Sequence, residues 1–193
     1  MNLANKLTML RVFMIPIFLM ILLLEPIDIH YYDGALREEF FPNINRHIAI
    51  GIFILASITD ALDGYIARSR NMITNFGKFM DPVADKLLVC SALIAMIEIG
   101  ILPAWVVIVI ISRDFILTSF RMVASSNNVV IAADKIGKIK TVAQMAMIIY
   151  LLFEFTSPTL ILFGNLLIGI VVILTVLSAA SYIFKNLEVI KEF

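Results

Sequence analysis

Asp60, Asp63, Asp81 and Asp85 are four carboxylates in a stretch otherwise rich in Ile, Leu, Phe, Met and Ala. Residues three or four apart on a helix are neighbours. Asp60 and Asp63 therefore share one helical face, continued by Ala67 and Arg68, and Asp81 and Asp85 share a face of the next helix. An acidic residue at the centre of a membrane helix costs about 2.5–3.5 kcal/mol. Two carboxylates about 4 Å apart repel by roughly 4 kcal/mol at an effective dielectric of 20. Such a group needs cations. Arg68, Lys78 and Lys86 are the local basic side chains. Divalent ions do better, and hard oxygen ligands select Mg2+, Mn2+ or Ca2+. A pair of these ions grips a phosphate and stabilises both the attacking and the leaving oxygen of a displacement. Gly64 and Gly77 let a ligand approach the backbone closely. The competing reading is a set of salt bridges that locks a helical bundle, for which two glycines have no use.

A second set of residues is basic. Arg113 and Arg121 are separated by roughly two helical turns, and Lys135, Lys138 and Lys140 follow. Such a group suits a substrate that itself carries a phosphate. For Lys135 and Lys140 the alternative is snorkelling to lipid headgroups. The run Gly137–Thr141 is not a Walker-type loop, because Ala132 stands where its first glycine belongs and no strand precedes it.

The elements that position these side chains must be membrane helices. The chain has 193 residues, of which 61% are hydrophobic, and a mean hydropathy of +0.99; soluble domains are about 45–50% apolar. Six apolar segments stand out: Leu7–Leu24, Ile44–Arg68, Pro82–Ile99, Pro103–Val123, Ile136–Phe153 and Thr159–Phe184. An isolated segment in lipid must satisfy its own backbone, which makes each a helix. Only the last is free of charge from Thr159 to Tyr182. The pure cores of others, such as Ile48–Ile58, reach about 17 Å against a hydrocarbon thickness of about 30 Å. Their polar ends must then face one another or water. If the helices alternate, Arg37 and Arg46 are the only two of the 15 Lys and Arg residues on one side. The positive-inside rule puts the other side, with both termini, in the cytoplasm. The expected fold is an all-α integral membrane protein: six transmembrane helices, one domain over 1–193, and a polar cavity open to the cytoplasm.

Several features carry no chemistry. Cys90 reads as a small buried hydrophobe. His30 and His47 read as loop and boundary residues of the outer connection 26–46 rather than metal ligands. The N-terminal apolar run ends at Glu25-Pro26 without a cleavage pattern, so it is not read as a secretory signal.

The residues from Asp60 to Asp85 complete the pattern D-x-x-D-G-x-x-A-R-x8-G-x3-D-x3-D without departure. This resembles the motif of the CDP-alcohol phosphatidyltransferases. The resemblance implies that Asp60, Asp63, Asp81 and Asp85 hold two divalent ions, Mg2+ or Mn2+. It implies that Asp85 is the base that deprotonates the acceptor hydroxyl. It also implies that Asp63, Gly64, Ala67, Arg68 and Gly77 line the cytidine and phosphates of a CDP-linked lipid. The run Asn2–Arg11, the Arg113/Arg121 pair and Gly137–Gln144 are similar to the bacterial members that act on sn-glycerol 3-phosphate. By that likeness Arg113, Arg121, Lys138, Lys135 and Thr8 grip the acceptor phosphate, with Asn5 and Arg11 nearby. CDP-diacylglycerol is then the donor and phosphatidylglycerophosphate the product, made by a homodimer in the bacterial inner membrane with no nucleic-acid partner. The rivals are the same chemistry on inositol phosphate, a divalent-cation transporter and a structural membrane subunit.

Overall fold

The computed structural model describes residues 3–23, 44–69, 75–126 and 135–185. They form six α-helices: α1 (Leu3–Leu23), α2 (Ile44–Ser69), α3 (Asn75–Glu98), α4 (Ala104–Ser126), α5 (Lys135–Leu152) and α6 (Pro158–Lys185). All six expected segments are therefore helical. Two starts differ by several residues: α1 begins at Leu3 rather than Leu7, and α3 begins at Asn75 rather than near Pro82, so that it takes in Gly77 and Lys78. Thr74 and Asn75 are residue types favoured at a helix start, and the apolar pattern had hidden them. Most of the connection 26–46, with His30, lies outside the described residues, and Ile44, Asn45 and Arg46 already belong to α2. His47 is exposed on α2, and Cys90 is partly exposed on α3 rather than buried.

The chain divides into two compact units, Met1–Ile101 and Leu102–Phe193. In the first, α1 packs against both α2 and α3, while α2 and α3 touch each other only sparsely. The sequence dictates this arrangement. Thr8, Arg11, Ile15, Phe18 and Leu22 recur on α1 at steps of three and four and are all buried, the spacing of a single helical stripe. On α2 the buried stripe includes Ala49, Phe53 and Ala56, and on α3 Ala84, Leu88, Ala92 and Met96. Alanines at these positions let backbones approach, as small residues do between membrane helices. Phe18 and Phe53 meet at 5.8 Å between ring centroids.

The second unit repeats the scheme with the order reversed. Here α6 packs against both α4 and α5. Its buried side runs Gly164, Val171, Thr175, Ser178 and Tyr182. The two hydroxyls are satisfied within the helix: Thr175 Oγ1 donates to the Val171 carbonyl at 2.6 Å and Ser178 Oγ to that of Thr175 at 3.0 Å. Gly164 has no side chain where a Cβ would come 3.1 Å from Leu151 of α5. Tyr150 closes the α5–α6 hairpin by donating to the Leu160 carbonyl at 2.9 Å.

Helices α1, over Lys6–Leu23, and α6, over Pro158–Lys185, are each long and apolar enough to cross a membrane, and α2 adds a shorter apolar stretch, Ile44–Thr59. The most apolar helix of each unit is thus the one that holds the other two. Phe18 is fully buried, so Phe18→Ala is expected to destabilise the first unit by about 3 kcal/mol, read as a lower thermal unfolding midpoint in detergent. Phe13→Ala, on the exposed face of α1, should leave the midpoint nearly unchanged.

Candidate active site

The acidic residues extend the packing stripes of their helices. On α2, the series Ala49, Phe53, Ala56 continues at the same helical spacing through positions 60, 63 and 67. On α3, Ala92 and Leu88 lead back through positions 85 and 81. Backbone register therefore places Asp60 and Asp63 on the stripe face of α2, and Asp81 and Asp85 on that of α3. The side chains of residues 60–69, 75–82 and Asp85 lie outside the described part of the structure, and with them the contacts of Gly64, Ala67, Arg68 and Gly77. Among the described residues no group of His, Cys, Asp and Glu is gathered to hold a metal.

The basic group of the second unit is described in atomic detail. Lys140 Nζ donates to both carboxylate oxygens of Asp114, at 2.8 and 2.7 Å. Arg113 Nη1 donates to the same carboxylate at 3.0 Å. The Lys140 side chain is 2% exposed, against 14% for Arg113 and 24% for Asp114. Two cations share one anion, so the cluster carries one net positive charge. Helices α4 and α5 make few backbone approaches, and these long side chains bridge the gap. Gly137 leaves the flank of the guanidinium open: a Cβ there would lie 3.6 Å from Arg113 Nη2. The Arg113 Nε is buried with no hydrogen-bond partner among the described residues. Along α5, Gln144 lies one turn beyond Lys140 on the same face and is 2% exposed. Its Nε2 likewise has no partner among the described residues.

The remaining predicted acceptor residues belong to three helices, α1, α4 and α5. Arg121 is exposed, with its guanidinium carbon 5.5 Å from the centre of the Tyr182 ring on α6, within cation–π range. Lys138 is exposed, and the Lys135 side chain lies outside the described residues. Thr8 and Arg11 are fully buried on α1, in the first unit.

The sequence alone does not settle the roles of three of these side chains. For Lys140 it allows either headgroup anchoring or phosphate binding. Lys140 does not snorkel, because its ammonium is buried and engaged by Asp114. Asp114 was passed over as the neighbour of Arg113. An acid in an apolar helix, followed by a lysine-rich helix start, was the available signal. Gln144 ends the run Gly137–Gln144 that carries the family likeness, but the sequence assigns it no individual role.

Comparison with known proteins gives the chain's family. The family description CDP-alcohol phosphatidyltransferase matches residues 1–180. The chain is 45% identical to the CDP-diacylglycerol–glycerol-3-phosphate 3-phosphatidyltransferase of Bacillus subtilis strain 168, over 98% of this chain and 97% of that protein. It is 36% identical to a probable phosphatidylglycerophosphate synthase of Mycobacterium tuberculosis strain H37Rv, over 97% of this chain and 82% of the relative. A Rickettsia typhi protein with the same description as the Bacillus relative is 30% identical over 94% of both chains.

Removing Asp114 strands a buried ammonium. Asp114→Ala is therefore expected to cost about 3–5 kcal/mol, seen as a large fall in the detergent unfolding midpoint. The double variant Asp114→Leu/Lys140→Met, which removes both charges, should recover most of that loss.

Proposed function

This chain belongs to the CDP-alcohol phosphatidyltransferase family, and we propose that it works as follows. It transfers the phosphatidyl group of CDP-diacylglycerol to sn-glycerol 3-phosphate, giving phosphatidylglycerophosphate and CMP, a step of membrane phospholipid synthesis. The observation that carries this activity is likeness over nearly the full chain to relatives described by that reaction, in Bacillus, Mycobacterium and Rickettsia. The rival acceptor, inositol phosphate, and the transporter and structural-subunit readings have no such support.

The proposed roles divide between two kinds of side chain. Asp60, Asp63, Asp81 and Asp85 offer only carboxylate oxygens, from neighbouring positions on two helices. That donor set fits Mg2+ or Mn2+, probed as a pair. When bound, such ions neutralise the donor diphosphate and stabilise the charge that develops on its oxygens. Asp63, Gly64, Ala67, Arg68 and Gly77 bind the cytidine and phosphates. Asp85 takes the proton of the acceptor hydroxyl. The oxygen then attacks the lipid-side phosphorus, the bond between the two phosphates breaks, and CMP leaves with its electron pair. In the alternating topology, two turns back along α1 and two turns on along α2 from the Phe18–Phe53 contact bring Arg11 to the level of Asp60. A buried guanidinium at that level lowers the cost of gathering the acids.

Arg113, Arg121, Lys138, Lys135 and Thr8 bind the acceptor phosphate. Within the group, Arg113 has the firmest physical basis. Asp114 is occupied by Lys140 and by Arg113 Nη1, so the guanidinium is fixed in place and retains donors for an oxyanion. A fixed planar fork suits phosphate better than a mobile ammonium.

The basic flanks of the helices support a bacterial inner-membrane orientation with both termini, the active site and a polar cavity on the cytoplasmic side. The family match across 1–180 supports one catalytic domain over the whole chain. The homodimer rests on the family resemblance alone.

Purified protein in detergent with Mg2+ or Mn2+ is expected to release CMP from CDP-diacylglycerol when glycerol 3-phosphate is added, and EDTA should stop it. Serine and inositol phosphate should be poor acceptors in the same assay. Asp85→Asn should lower kcat roughly a thousandfold, the size of a lost general base, with an unchanged unfolding midpoint. An active Asp85→Asn variant would remove that residue from the base role.

A further inference from the structure

We propose that Gln144 is the specificity-determining residue for the middle hydroxyl of the acceptor. The inference rests on the transferase reading and extends it to a residue that neither the motif nor the basic group includes.

The Gln144 side chain is 2% exposed, and its Nε2 has no hydrogen-bond partner among the described residues. A carboxamide kept dry and unpartnered is costly, whereas an apolar side chain of the same shape at that position costs nothing. A ligand that accepts a hydrogen bond removes the cost. Gln144 stands on the face of α5 that carries Gly137 and Lys140, about 6 Å along the axis from Lys140. That face meets the Arg113–Asp114 cluster: Lys140 holds Asp114, and Gly137 lies beside Arg113 Nη2.

Two buried donors lie on this side of the cluster: Arg113 Nε of α4, charged, and Gln144 Nε2 of α5, neutral. A ligand that meets both presents oxygen acceptors, anionic at one end and neutral further along. A polyol phosphate has this order. With the phosphate on carbon 3 of glycerol at Arg113, the hydroxyl of carbon 2 is the next oxygen along the chain, and the carbon 1 hydroxyl remains for the reaction. Gln144 Nε2 donates to the carbon 2 oxygen. It touches the substrate away from the reacting atoms, so its effect is on the choice of acceptor.

The test pairs one substitution with one missing hydroxyl. CMP release is measured for wild type and Gln144→Met, with glycerol 3-phosphate and with 3-hydroxypropyl phosphate, which keeps the phosphate and the reactive hydroxyl but lacks the middle one. Wild type is expected to favour glycerol 3-phosphate by about tenfold in kcat/KM, the scale of one hydrogen bond to a ligand. Gln144→Met should keep an unfolding midpoint at least as high and the same KM for CDP-diacylglycerol, but lose that preference to within twofold. A folded Gln144→Met that retains the wild-type preference, or a wild type with no preference, overturns the assignment. Gln144→Leu serves as the second variant if the first does not fold. If wild type releases CMP with neither acceptor, the transferase reading itself fails and this inference falls with it.

Discussion

Charge placed among apolar helices must be neutralised where it stands, and the pairing of Lys140 with Asp114 shows the constraint most clearly. Both oxygens of the carboxylate are taken up by a single buried ammonium. The pair joins α4 to α5 where their backbones stay apart. It also orients Arg113, which shares the carboxylate and would otherwise be a mobile side chain. Buried ion pairs contribute little net stability over a well-packed apolar alternative. Their presence here is better explained by what they hold in place: a guanidinium with donors left over.

Each unit meets the constraint with the same arrangement. A single strongly apolar helix, α1 or α6, packs against both of its companions. The companions are spared close contact with each other, so polar residues can line the sides where they part. In the first unit these are the helices of the acidic motif, and in the second those of the basic cluster. The division suits a reaction with two phosphate-bearing substrates. In the proposed roles, divalent ions held by the acids would meet the donor diphosphate, whose charge changes as a bond between phosphates breaks, and Arg113 would meet the acceptor phosphate, which does not react.

Much of this was legible in the sequence. The number of helices followed from hydropathy, because lipid leaves a single segment no other way to satisfy its backbone. The acids were conspicuous because charge is rare in such surroundings, and their complete motif pointed to the family. What escaped notice depended on contacts between helices. Lys140 and Lys138 are indistinguishable as letters in a basic run, yet one is buried against Asp114 and the other is exposed. Asp114 looked incidental beside Arg113. The start of α3 at Asn75 is hidden because Asn75, Gly77 and Lys78 precede the apolar run that opens at Pro82. Gln144 acquires meaning only once its burial is known.

The proposed binding of two divalent ions by the four aspartates, as opposed to structural salt bridges, is directly measurable. Mn2+ titration followed by electron paramagnetic resonance, on the full chain in detergent without lipid substrate, tests it without relying on activity. Two Mn2+ per chain are expected for wild type, with binding lost or weakened at least tenfold in a folded Asp60→Asn/Asp81→Asn variant. Mn2+ binding that is absent from wild type, or unchanged in that variant, would leave the aspartates as structural ion-pair partners.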